Sequence, residues 1–134
     1  MTTPQTFRDL DQGHATADQE TEISALDEWY DSVRDIPINE LDDGDLSRAC
    51  RQCLFPQSVV PVAVRRLQLQ PLAGDSYDGE LFASLRSVPR LYWKNNPEMA
   101  SIILMISHVV LQQNEDGDLK EDARIIIASA GREV

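Results

Sequence analysis

Two cysteines three positions apart, Cys50 and Cys53, are the first residues in this chain whose types and spacing suggest a reaction. A redox pair of that spacing follows a strand and opens a helix. Here both cysteines share a helical stripe with Leu46, Ala49 and Leu54, which predicts packing in a core. A zinc site needs two more ligands. The two histidines, His14 and His108, lie far from the pair along the chain, so no metal is expected there.

Two acidic runs are the next candidates. Asp42-Asp43-Gly44-Asp45 and Asn114 to Asp118 each set carboxylates beside a glycine. A calcium loop needs spaced ligands and a glutamate at its twelfth position, which neither run supplies. Helix capping and turn formation explain both. His108 stands alone on an apolar stretch, the setting of a core or boundary histidine. No serine–histidine–acid or cysteine–histidine order can be argued, and no glycine-rich phosphate loop is present. Arg48, Arg51, Arg65 and Arg66 fall on two neighbouring predicted helices, and ion pairing with the acidic N-terminal residues is their expected use. With no catalytic constellation, the chain is not expected to be an enzyme or to hold a cofactor.

Charge sharpens this. The 134 residues carry a formal net charge of −11. Residues 1–45 hold 13 acids and 2 bases, while 46–134 hold 10 of each. Within the neutral part, 46–94 is basic and 95–134 acidic. Such a chain repels nucleic acid and anionic membrane and attracts a basic partner. The longest apolar run, Ile102 to Ile106, is far too short to span a bilayer. Met1-Thr2-Thr3-Pro4-Gln5 lacks the basic start and apolar stretch of a signal peptide, so a cytoplasmic location is expected.

The elements that must position these residues are helices. Residues 1–22, polar and without a helical stripe, read as a flexible acidic leader, and 23–134 as one helical domain. Ile23, Leu26, Trp29 or Tyr30, and Val33 predict a first helix, stopped before Pro37. A second, capped by Asp42 or Asp43, buries Leu46, Ala49, Cys50, Cys53 and Leu54 and ends at Pro56. A third runs from about Ser58 to Leu69, with Pro61 tolerated only near its first turn. A fourth starts within 75–80 and reaches about Ser87, and Arg90 to Lys94 makes a short helical turn. Asn96-Pro97 starts the most apolar helix, which runs to about Gln112 and includes Met105; it is expected to lie centrally. A last helix covers about Asp118 to Ala130, although Ile125-Ile126-Ile127 is the one place a strand could hide. The prediction is an all-α, single-domain bundle of about five to seven short helices.

From Ile36 to Glu98 the sequence resembles small bacterial immunity proteins of contact-dependent growth inhibition (CDI) systems. The segments that carry the resemblance are Leu41 to Arg48 with Arg51-Gln52, Val60 to Leu67, Pro71 to Leu81, Tyr92-Trp93 and Pro97-Glu98. The most specific is Pro71-Leu72, then Gly74-Asp75, then Tyr77-Asp78-Gly79-Glu80-Leu81. The resemblance implies a cytoplasmic protein that binds the C-terminal toxin domain of a cognate surface-displayed effector, often a nuclease, and blocks it without catalysis or cofactor. A monomer in a one-to-one complex is expected, and a generic acidic adaptor or regulator is the alternative.

An acidic surface suits a nuclease, whose substrate groove is basic. The expected toxin contacts are Asp42, Asp43 and Asp45, followed by Asp75, Asp78 and Glu80 in the second acidic turn. Tyr77, Gly79, Leu81 and Trp93 are expected to be structural. Tyr77 and Trp93 should pack on a helix starting near Asp78, capped by that aspartate or by Ser76.

Overall fold

A computed structural model describes residues 5–10, 25–113 and 115–131, and every regular element among them is helical. The chain divides into two compact units, Met1–Leu41 and Asp42–Val134.

In the first unit, α1 (Phe7–Leu10) is a single turn and α2 (Ala25–Val33) stops ahead of Pro37 as predicted. A 3-10 turn follows at Ile38–Glu40. Phe7 is buried; its ring stacks on Tyr30 at 5.6 Å and tilts against Trp29 at 6.4 Å. Backbone bonds fasten the turn: Arg8 N–H donates to the Arg34 carbonyl at 3.0 Å, and Ile38 N–H to that of Gln5 at 2.8 Å. The Arg8 guanidinium also grips the Asp35 carboxylate with two nitrogens and, through that hydrogen bond, lowers its pKa. α1 lies inside the stretch read as a leader. One turn is too short to leave a periodic stripe, and its mark is Phe7 alone. The rest of that leader, apart from Gln5 and Thr6, lies outside the described residues.

The second unit holds α3 (Asp43–Arg51), α4 (Pro56–Leu69), α5 (Glu80–Ser84) continuing as a 3-10 turn (Leu85–Ser87), α6 (Arg90–Asn95), α7 (Pro97–Gln113) and α8 (Gly117–Ala130). With α2, these are the seven helices that stripes and prolines predict. Ile125-Ile126-Ile127 lies within α8, which disposes of the strand alternative.

α3 ends earlier than its stripe suggests. Leu54 N–H bonds the Ala49 carbonyl and Cys53 N–H that of Cys50, a Schellman closure that puts Cys53 in the left-handed region at φ 53°. Cys53 is therefore exposed, not a core residue, while Cys50 is buried. Phe55 is left-handed too, at φ 39°, and delivers Pro56 to the first position of α4. Because α4 begins two residues before Ser58, Pro61 falls in its second turn and not its first. The carbonyl of Gln57 there has no amide four residues on to accept from.

The core of this unit joins Leu46, Val60, Leu67, Phe82, Trp93 and Ile126, each at most 1 % exposed. Burying a side chain of this size stabilises by roughly 1.5–3 kcal/mol. α7 packs against α4, α6 and α8 through Ile103, Ile106 and Val110. That stripe fixes the helix's rotation and turns Met105 and His108 to solvent, so His108 is not the core or boundary residue expected. Buried Ser107 satisfies its hydroxyl by donating to the Ile103 carbonyl at 2.7 Å.

Candidate functional site

The acidic run at the start of α3 is a cap. Asp42 has extended backbone, and its Oδ1 accepts from Asp45 N–H at 2.8 Å. Asp43 and Asp45 occupy the first helical turn, where negative charge meets the positive end of the helix dipole. Asp43 also pairs with Arg66 of α4 at 3.3 Å. The second run caps as well: Asp116 Oδ1 accepts from Asp118 N–H at 2.9 Å and Leu119 N–H at 3.3 Å at the start of α8.

The turn between α4 and α5 is held from inside. Gly79 N–H donates to the Leu72 carbonyl at 2.9 Å and Leu81 N–H to that of Ala73 at 3.1 Å, which closes the loop at its neck. Glu80, only 5 % exposed, folds its carboxylate back under the loop. Its Oε1 accepts from the backbone N–H groups of Asp75 at 2.9 Å and Ser76 at 3.0 Å, and its Oε2 from Arg51 at 3.4 Å. Burial opposes ionisation of this carboxyl, yet the two amides and Arg51 outweigh it and hold the pKa below 4.5. Two glycines permit the path. A Cβ on Gly74 would lie 2.1 Å from the Tyr77 carbonyl oxygen. Gly79 sits at φ 89°, and a Cβ there would come within 2.8 Å of Leu119 on α8.

The fold brings the two predicted acidic segments together. A Cβ on Gly44 would lie 3.0 Å from both Cβ and Oδ2 of Asp75, so the start of α3 and the 75–78 tip share one edge. Asp42, Asp75 and Asp78 are exposed there. Glu80 belongs to the same segment but faces inward, and its work is to position the tip. Gly79 forms the N-cap of α5 with no side-chain bond, so neither Asp78 nor Ser76 caps that helix. Tyr77 is 57 % exposed, against the expectation that it packs. Leu81 and Trp93 are buried as expected, Trp93 meeting Tyr92 edge-on at 5.2 Å. Arg66 pairs with Asp43 and Arg51 with Glu80, both beyond residue 41, while most of the leader expected to pair with the arginines lies outside the described residues.

The exposed carboxylates of this edge give it negative charge. Among the described residues no three His, Cys, Asp or Glu side chains converge to hold a metal ion. Burial pushes the Cys50 thiol up to about 12, only partly offset by a hydrogen bond with Ser84, so its nucleophilic thiolate is suppressed. Cys53 Sγ donates to the Ser87 carbonyl at 2.8 Å. No described helix is long and apolar enough to cross a membrane.

Over residues 11–103 the chain matches the family described as CDI immunity proteins. The chain belongs to that family. No curated protein matches it. The match contains every segment that carries the resemblance and begins ahead of them, within the acidic N-terminal third. In this CDI immunity protein both halves of the acidic edge, Asp42 to Asp45 and Asp75 to Glu80, fall inside the matched residues, whereas α8 lies beyond them. What the sequence alone does not convey is the inward course of Glu80. Its one signal is an acid directly after a glycine at a helix start, a position from which a side chain can reach back to the preceding amides.

Proposed function

We propose that this chain binds the C-terminal toxin domain of a cognate CDI effector in the cytoplasm, one to one, and blocks it without catalysis or cofactor. The observation that carries the reading is the meeting of two acidic segments at Gly44 and Asp75 in a member of an immunity family. Asp42, Asp43, Asp45, Asp75 and Asp78 supply the charge, and Glu80 holds the tip that presents two of them. A nuclease toxin fits this best, because its groove must be basic to take up a polyanion. Carboxylates set along such a groove occupy the phosphate positions and exclude substrate. Charges at the rim of an interface chiefly raise the association rate, and salt screens that effect over about 8 Å at physiological ionic strength.

The test is association kinetics of the full chain with the C-terminal domain of the large effector encoded beside it, at several salt concentrations. Asp42→Asn, Asp43→Asn and Asp45→Asn are combined, since asparagine preserves the cap. The expected outcome is slower association, a weaker salt dependence and lost inhibition, with an unchanged circular dichroism spectrum. An on-rate indifferent to salt and to the triple substitution would overturn the electrostatic reading.

A further inference from the structure

The 75–78 tip also borders a groove. This open groove of about 620 Å³ is lined by Tyr77 of the tip together with residues of α5, its 3-10 turn and α8, and by Arg51 of α3. The tip is fixed against that helix, since the backbone at Gly79 runs against Leu119 with no room for a side chain. Three charged groups of the groove already have partners. Arg86 meets Asp122 at 2.8 Å, and Arg51 meets the inward carboxylate of Glu80 at 3.4 Å. The groove also holds Asp118 and Glu121, one turn apart on α8 and both exposed. Glu121 pairs with its helical neighbour Arg124 at 3.5 Å with both side chains about 60 % exposed, a pairing that solvent weakens. Tyr77, 57 % exposed, lines the same groove. An aromatic ring left open beside a concave surface is the usual makeup of an interface anchor.

We infer that this groove receives a basic side chain, arginine or lysine, from the toxin domain, a reading that rests on the function proposed above. The cation enters between the Tyr77 ring and the carboxylates of Asp118 and Glu121. The ring face attracts it through its quadrupole, and the carboxylates neutralise it. An acidic occupant would face the carboxylates of Asp118 and Glu121, while the groove's own cations, Arg86 and Arg51, are already paired with Asp122 and Glu80. An apolar one would strip water from them without replacement. The groove's α8 wall lies outside the residues matched to the family, whereas its tip lies within them. The 75–78 segment thus supplies Asp75 to the acidic edge and Tyr77 to this groove.

The experiment measures dissociation constants and rates for the full chain and the neighbouring effector's C-terminal domain. Tyr77→Ala, and separately Asp118→Asn with Glu121→Gln, should weaken binding by about tenfold or more, mainly through faster dissociation. Tyr77→Phe should bind like the parent, because the ring and not the hydroxyl meets the cation. Melting curves identify any variant that loses its fold, and the exposure of all three positions predicts that none does. Groove variants within twofold of the parent, alongside a weakened Asp42/Asp43/Asp45 triple, would overturn this inference and leave the proposed function standing. Tighter binding by the Asp118/Glu121 pair would indicate an anionic occupant and also overturn it. A parent chain that does not bind the toxin domain would remove the function beneath it.

Discussion

Glu80 is the residue on which the geometry of the tip depends, and truncating it measures that dependence. Glu80→Ala removes an ionised acceptor from two amide donors at 2.9 and 3.0 Å and from Arg51 at 3.4 Å. Hydrogen bonds to charged groups contribute about 1.5–3 kcal/mol each. The low end applies, because Asp75 and Ser76 are exposed and their freed amides can turn to water. Arg51, with its side chain 44 % exposed, adds less than about 1 kcal/mol. Relief of the buried charge offsets part of the loss, which leaves about 3 kcal/mol. For a chain of this size that lowers Tm by on the order of 10–15 °C. Urea unfolding followed by circular dichroism is the assay, with an unchanged m-value as the sign that the unfolded state is unaffected. Glu80→Gln keeps an acceptor and should lose about half as much. The pH dependence has a definite sign. A carboxyl whose folded pKa is lowered contributes stability above its unfolded pKa and loses it as pH falls through the folded one. The gap between parent and Glu80→Gln should therefore close below the ordinary value of 4.5. Asp78→Ala, which removes no cap, should stay within about 0.5 kcal/mol of the parent. A Glu80→Ala loss under about 0.5 kcal/mol would show that the carboxylate is not what holds the tip.

Gly74→Ala should cost more than about 2 kcal/mol in the same assay, because its methyl would lie 2.1 Å from the Tyr77 carbonyl oxygen and the backbone has to move. Cys53→Gly should raise stability by about 1 kcal/mol, since glycine takes the left-handed position at φ 53° without steric penalty. A thiol reagent should label Cys53 promptly in the native protein and Cys50 only on unfolding; two equally fast thiols would contradict the burial and raised pKa of Cys50.

The helices could be read in advance because their signals are local. Stripes such as Ile103, Ile106 and Val110 recur at helical spacing, prolines mark boundaries, and Asp42 announces its helix within four residues. Pro61 and the α3 terminus misled for a shared reason. Cys53 and Phe55 adopt left-handed backbone, for which glycine is the usual signal, and neither residue type carries it. The stripe therefore seemed to run on through Leu54, and α4 seemed to start late. At the candidate site the residue types were legible and the directions were not. Nothing near position 80 says that its carboxylate turns inward, or that Tyr77 points out. Both follow from the meeting of the tip with α3 at Gly44 and with α8 at Leu119, contacts some 30 to 40 residues away in sequence.

The fasteners of the 73–81 loop all lie at its neck or beneath it: the Ala73 and Leu72 carbonyls, Gly74, Gly79 and the Glu80 carboxylate. The side chains at the tip, Asp75, Ser76, Tyr77 and Asp78, take almost no part in that closure. On the proposed function, holding a shape and choosing a partner are therefore divided between different residues only a few positions apart. On that reading, substitution at the tip would alter which surface the protein recognises at little cost to folding, while substitution at the neck threatens the fold first. A protein built this way can follow changes in its target through single replacements, each of them accessible without a compensating change elsewhere.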